Sequence, residues 1–284
     1  MVNKYIPTSK QEALDILSKH DCSILAGGSD LMVVKKNIAG FLPKFDKDVL
    51  YISHIEELKG IYKDEKGVHI KSGTTMDEVE NSPLVPNILR KAVSEVASVN
   101  IRHFATLVGN IANASPAGDT IVVDVLLDAV LKLESVDGVR FVKAEDFVQG
   151  VRKIDRKPNE LITEIIFPEL DYSGEMWFKV GSRKADSISK VMVAGIYKIT
   201  GNSLENFALV FGSVSIKPVR SHELENELKG MSLFDIAKNK ERIVEEYAKL
   251  IKPIDDQRST AEYRLTVAKN ITRKFIEQIV EGGK

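Results

Sequence analysis

The sequence predicts an α+β fold in two domains, and three observations carry that prediction. Residues 1–55 run strand, helix, strand, a rhythm that makes a small parallel sheet. Between about 56 and 172 the apolar residues alternate as they do in strands of a mixed or antiparallel sheet. From about Ser173 three strand-like runs, an antiparallel three-stranded sheet, precede a helical tail. The boundary falls near residues 168–176 and divides 1–172, with lobes of about 1–55 and 56–172, from 173–284.

In chain order, TSKQEALDILSK (8–19) reads as a helix capped by Thr8 or Ser9, with Ala13, Ile16 and Leu17 inward. CSILAGGSDLMVVKK passes from a short strand through glycines into a helix, and VLYISHI (49–55) is a second strand. GVHIKSGTTMDEV (67–79) reads as a strand, a turn at Gly73 and a helix start at Thr74 or Thr75. LVPNILRKAVSEVAS (84–98) places Ile88, Ala92, Val93 and Val96 on one helical face. ATLVGNIANASPAGD, from Ala105 to Asp119, reads as a long loop of small and amide residues. TIVVDVLLDAVLKLESV holds a helix end and a strand, and VRFVKAEDFVQG and ELITEIIFP alternate as strands. MWFKVGS, VMVAGIYKI and FALVFGSV form the later sheet. The tail is two amphipathic stretches, the second with Tyr263, Val267, Ile271, Phe275 and Ile279 in register.

With 43% apolar and 29% charged residues, the 284-residue chain has the make-up of a globular protein. A formal net charge of −1 argues against a nucleic-acid partner. The N-terminus lacks the apolar core of a signal peptide. No apolar run approaches the roughly 20 residues of a membrane span, so a cytoplasmic protein is expected. The single cysteine, Cys22, makes no internal disulfide and cannot hold an iron–sulfur cluster. The five histidines show no metal-ligand spacing, so no metal site is expected, and redox chemistry would need an organic cofactor.

Two segments poor in side-chain bulk are the candidate site. In ILAGGSDL (24–31), Gly27 and Gly28 permit positive φ, so that peptide N–H groups can face a concave space, and Ser29 or Asp30 would cap the helix that follows. Taken alone, this loop reads more readily as a tight turn than as a phosphate site. In the second segment Gly109 and the alanines allow close backbone approach. Thr106, Asn110, Asn113 and Ser115 offer the donors and acceptors that a polyhydroxyl chain and a pyrophosphate require. A buried turn with self-bonded asparagines is the plainer reading of that stretch, but two such segments in one lobe favour a ligand.

ILAGGSDL, IRHFATLVGNIANASPAGD and FKVGSRKADSISKV follow one another in the order and spacing of a known family. The chain resembles, almost end to end, the FAD-binding medium subunit of the molybdenum hydroxylases, the xanthine dehydrogenase and carbon monoxide dehydrogenase type. The resemblance implies an FAD-binding domain over 1–172 and a C-terminal α+β domain over 173–284. It implies that Leu25, Ala26, Gly27, Gly28, Ser29, Asp30 and Leu31 wrap the FAD pyrophosphate and that Thr106, Gly109 and Asn110 complete the cradle. Ala112 and Asn113 would line the cofactor's middle, Asp119 would bond a polar edge, Leu161 and Ile162 would lie against a ring, and Lys179 would stand near the flavin. The plainer alternatives are a helix cap for Asp119 and a solvated strand residue for Lys179. Where the family has two consecutive glycines this chain has Val108-Gly109, and a positive φ at Val108 would be strained.

The implied role is an oxidoreductase subunit. Iron–sulfur (2Fe-2S) clusters on a small partner subunit would deliver electrons through this chain's FAD to NAD or another acceptor. A large molybdopterin subunit would oxidise the substrate, with xanthine or another purine the common association. No GxGxxG motif marks an NAD site, and no residue stands out as a catalytic acid, base or nucleophile. The alternatives are a nucleotide-binding or scaffold module that has lost its flavin, which Val108 keeps open, and a stand-alone FAD oxidase.

Overall fold

A strand, a helical crossover and a second strand pair in parallel because an antiparallel hairpin needs only a tight turn, whereas a parallel return needs room for the crossover. The computed structural model describes residues 2–39 and 41–282, and its N-terminal sheet follows that rule. Asp48–Tyr51 lies between Lys4–Tyr5 and Cys22–Leu25 and pairs with both in parallel. The helix Lys10–Leu17 is capped by Ser9, whose side chain accepts the Glu12 N–H, and buries Ala13, Leu14 and Leu17. Leu14 takes the inner position expected for Ile16, in a cluster with Leu50, Ile52, Ile55 and Leu161.

The next sheet is antiparallel throughout, in the order Ile61–Asp64, Gly67–Lys71, Leu161–Phe167, Val130–Ser135, Gly138–Lys143. Its central strand Leu161–Phe167 is buried at every residue instead of alternating. The buried Glu164 is satisfied by the Tyr62 hydroxyl at 2.9 Å, as a carboxylate inside must be. AEDF closes into a helical turn, Ala144–Phe147, between the strands Gly138–Lys143 and Val148–Gly150. The capping box at Thr75 and Glu78 starts the helix Met76–Asn81.

Gly174–Val180, Val191–Thr200, Ser203–Gly212 and the two-residue Val219–Arg220 make a four-stranded antiparallel sheet. Helices Leu233–Lys238, Lys240–Leu250 and Ala261–Gly282 follow it. The long helix buries Arg264, Ala268, Ile271, Phe275, Ile276 and Ile279, while Tyr263 stays exposed. Gly195 is required here, because a Cβ on it would stand 2.4 Å from the Phe275 ring. The buried Arg264 is held by the carbonyls of Lys190 and Ser213, each at 2.8 Å, and by Asp256 at 2.9 Å.

These elements form two units that are not consecutive in sequence. One is built from the chain up to Pro86, Ala97–Ala114 and Asp128–Glu169; the other from Asn87–Val96, Ser115–Leu127 and the chain from Leu170 onward. The helix Asp119–Leu126 explains the interleaving. It is buried at every position, so it needs apolar cover all round, and Gly212 of the later sheet admits Val122 so closely that a Cβ would meet it at 2.4 Å. Among the described residues no helix is long and apolar enough to cross a membrane, and no cluster of three or more His, Cys, Asp or Glu side chains is placed to hold a metal ion.

Candidate functional site

The strand Cys22–Leu25 delivers the first small-residue segment to the edge of the parallel sheet, where the chain turns into the single helical turn Leu31–Val34. Gly28 has φ +72°, the left-handed region open to glycine. At Gly27 the reason for glycine is packing, since a Cβ would lie 1.8 Å from the carbonyl oxygen of Phe104. The first segment therefore rests directly on the peptide that opens the second. Ser29 and Leu31 are half-buried and Asp30 is exposed. Asp30 makes no capping bond to its own turn. Its carboxylate instead accepts from Asn113 Nδ2 at 2.9 Å, so a side chain from each segment ties the two together.

The stretch from Ala105 to Asp119 is not the continuous loop its composition suggests. Leu107–Asn113 is a helix, with Thr106 as its N-cap and Ala114 ending it at φ 44°. Thr106 Oγ1 accepts the Gly109 N–H at 3.0 Å, and a Cβ on Gly109 would approach that oxygen to 2.7 Å, so the glycine makes room for the cap. Leu107 and Ile111 anchor the helix inward, both fully buried. Val108 lies in the same helix, buried, and is not among the residues of positive φ. The conformational strain expected of a β-branched residue there does not arise, and the substitution gives no reason to suppose that the segment is damaged. Ala112 and Asn110 are half-buried and Gly109 is exposed. The Asn113 side chain, besides reaching Asp30, accepts a bond from the Arg152 guanidinium.

A cleft of about 390 Å³ opens against both segments, bordered by Leu25, Ala26 and Gly27 of the first and by Phe104 and Thr106 of the second. Its volume lies in the range of small-molecule sites. Tyr51, Ser53, Lys59, Thr75 and His103 also line it, with Lys59 paired to Glu56 at 2.7 Å and His103 to Asp77 at 3.5 Å. Glu78 also borders it, but its carboxylate is engaged by the backbone and hydroxyl of Thr75 at 2.7 and 2.8 Å. Sequence reasoning missed Tyr51, Ser53, Lys59, Thr75 and His103. They come from separate elements, and of them only His103 lies within a stretch that marked the place, IRHFATLVGNIANASPAGD. Leu161 and Ile162 do not border this cleft; they are 1% and 5% exposed in the central strand.

Gly28→Val should cost roughly 2 kcal/mol of stability, from a β-branched residue forced to positive φ. The cost stays local, because the nearest obstacle to its Cβ is the mobile end of Leu25 at 2.9 Å. Chemical denaturation of the purified variant measures the loss, and an unchanged midpoint would refute the assignment of strain to this residue.

Asp119 and Lys179 belong to the other unit and form a pair there. Lys179 Nζ donates to Asp119 Oδ2 at 2.7 Å and to the carbonyl of Glu95 at 2.7 Å. The lysine side chain is 5% exposed, so it is not a solvated strand residue. The N-cap of helix Asp119–Leu126 is Gly118, so Asp119 is not the cap. Burial pushes the Asp119 carboxyl up to about 6, with the Lys179 charge and hydrogen bond and the Ser189 hydroxyl pulling part of the way back and the Glu95 charge adding to the rise. Its second oxygen, Oδ1, is buried with no hydrogen-bond partner. An unsatisfied carboxylate oxygen inside a protein fits a site built to receive a donor from a bound group.

Comparison with known proteins extends this geometry. Residues 1–170 match the family model described as the FAD binding domain in molybdopterin dehydrogenase, and residues 176–279 match the CO dehydrogenase flavoprotein C-terminal domain. The chain is 32% identical to the glyceraldehyde dehydrogenase medium chain of Sulfolobus acidocaldarius over 276 residues, covering 95% of each. It is 27% identical to a putative xanthine dehydrogenase FAD-binding subunit of Escherichia coli, covering 96% of this chain and 94% of that one. A chain of the reconstituted CO dehydrogenase from Oligotropha carboxidovorans superposes with a TM-score of 0.84 at 25% identity, with 96% of each chain covered.

Proposed function

This chain belongs to the family of FAD-binding medium subunits of the molybdopterin dehydrogenases, and from that premise we propose that it is the electron-transfer subunit of such a complex. Electrons would arrive from 2Fe-2S clusters on a small partner subunit and leave to NAD or another acceptor. Oxidation of the substrate would take place on a large molybdopterin subunit. The observation that carries the reading is the cleft bordered by both small-residue segments, with Gly27 seated on the Phe104 peptide. FAD supplies redox chemistry that no side chain here provides, because it exchanges electrons singly and in pairs.

The residues of the chain would do the holding. Gly27 and Thr106 border the cleft, and together with Gly28 and Ser29, which follow Gly27 in the chain, they would offer backbone and hydroxyl groups to a diphosphate that accepts many charge-assisted bonds at once. Lys59 lines the same wall, its ammonium paired with Glu56 at 2.7 Å. Asp119 would present its unbonded oxygen to a donor on the flavin, with Lys179 fixing the carboxylate's other oxygen. The relatives at comparable identity are named for glyceraldehyde and xanthine, so the substrate does not follow from the medium subunit's sequence. That fits a division of labour in which this chain does not touch it.

Purified chain should be yellow and should release a flavin on denaturation whose fluorescence rises after phosphodiesterase cleavage, the signature of FAD. A colourless chain that takes up no added FAD would sink the reading. Native purification should also bring down an iron–sulfur chain and a molybdenum chain.

A further inference from the structure

Strand Gly174–Val180 sends alternate side chains to the same face, and two of them converge on one residue. Trp177 Nε1 donates to the Glu95 carboxylate at 2.9 Å, and Lys179 Nζ donates to the Glu95 carbonyl at 2.7 Å. Glu95 follows the helix Asn87–Ser94, where carbonyls lack helical partners and a cation is favoured. We propose that Glu95 is a positioning residue for the Asp119–Lys179 pair. The Trp177 indole grips its carboxylate, and its carbonyl thereby holds the Lys179 ammonium on one oxygen of Asp119 and leaves the other unbonded.

The surroundings leave this job to few groups. Lys179 faces Asp119 from the strand and Glu95 from beyond the facing helix; the Glu95 charge raises the Asp119 carboxyl and the Lys179 charge lowers it. On the helix Asp119–Leu126 itself, Asp124 is fully buried with neither oxygen bonded. Arg220, paired with Glu225, binds the Val125 carbonyl toward that helix's far end. The two strands beneath carry Lys198 and Glu205, which pair with each other. The consequence for the cofactor rests on the FAD reading above, but the positioning itself does not.

Two measurements on the full chain test it. Trp177 is the only tryptophan, so emission of the flavin-free protein should titrate with a midpoint near pH 6, following Asp119. The step should vanish in Asp119→Asn and move to lower pH in Glu95→Gln, which keeps the indole's acceptor and removes the repelling charge. Emission that is flat from pH 4.5 to 8, or that titrates unchanged in Asp119→Asn, overturns the proposal. In the second measurement Trp177→Phe should weaken FAD binding about tenfold at pH 7 and shift the pH midpoint of binding upward, because a loosened Lys179 stabilises the carboxylate less. A variant with wild-type affinity and midpoint overturns the proposal. Wild-type protein that binds no FAD yet shows the emission step overturns the functional reading and supports the positioning.

Discussion

Gly27→Ala should cost the chain its FAD and about 3 kcal/mol of stability. The added Cβ would sit 1.8 Å from the Phe104 carbonyl oxygen, 2.6 Å from its carbon and 3.0 Å from Ala105 Cα. All three are backbone atoms, and they cannot swing aside. Ala105 donates to the Ile101 carbonyl and accepts from the Met76 N–H, both at 2.8 Å, so that peptide is pinned from both sides. The first segment has to lift off the second, which opens the cleft on the side where both border it. A melting temperature lower by roughly 6–12 °C is expected for a chain of this size, with FAD binding reduced beyond detection in a fluorescence titration. Gly28→Val is the internal contrast, because its conflict is with one flexible leucine end. Wild-type melting and wild-type affinity in Gly27→Ala would show that the two segments do not need to touch.

Lys179→Met should destabilise the protein by about 3 kcal/mol near pH 8 and far less near pH 5. Removing the lysine leaves a buried carboxylate without its charge partner and with only the Ser189 hydroxyl to favour the ionised form. The sign follows from linkage. The folded-state value for Asp119 already stands near 6, above an ordinary carboxyl of 3.8. Stability associated with the neutral acid is therefore complete below about pH 4 and is lost as the pH rises through the folded value. Lys179 lowers that value, so without it the loss continues to higher pH and the variant falls further behind the wild type above pH 6. Urea midpoints at the two pH values measure the difference. An equal loss at both would mean that the lysine contributes packing and not charge. FAD affinity should also fall, since the carboxylate would no longer be held in one orientation.

How much of this could be read in advance differs from residue to residue. The glycines at 27 and 28 marked a place where backbone had to come close or turn backwards, and each does one of these. Leu107–Asn113 was illegible as a helix because glycine and asparagine are weak helix formers; the Thr106 cap and the burial of Leu107 and Ile111 outweigh that preference. In the last helix Ile271, Phe275 and Ile279 face inward as expected, but at its start Tyr263 and Val267 give way to Arg264 and Ala268, because Arg264 is drawn inward by two carbonyls and Asp256 that no local periodicity records. Tyr51, Lys59 and Thr75 reach the cleft from three elements separated in sequence.

The sequence by itself determined the α+β class, the parallel and antiparallel sheets and the two segments without side-chain bulk, because these depend on local periodicity and on which residues lack a Cβ. It also determined family membership, which is carried by the order and spacing of motifs. Only the tertiary structure decided that Gly27 presses on Phe104, that Asp119 keeps one oxygen unbonded, and that the helices Asn87–Ser94 and Asp119–Leu126 join the unit of the later sheet. Those outcomes turn on burial and on partners distant in sequence. Whether a carboxylate inside a protein is satisfied depends on what has been packed around it, which the order of residues along the chain does not state.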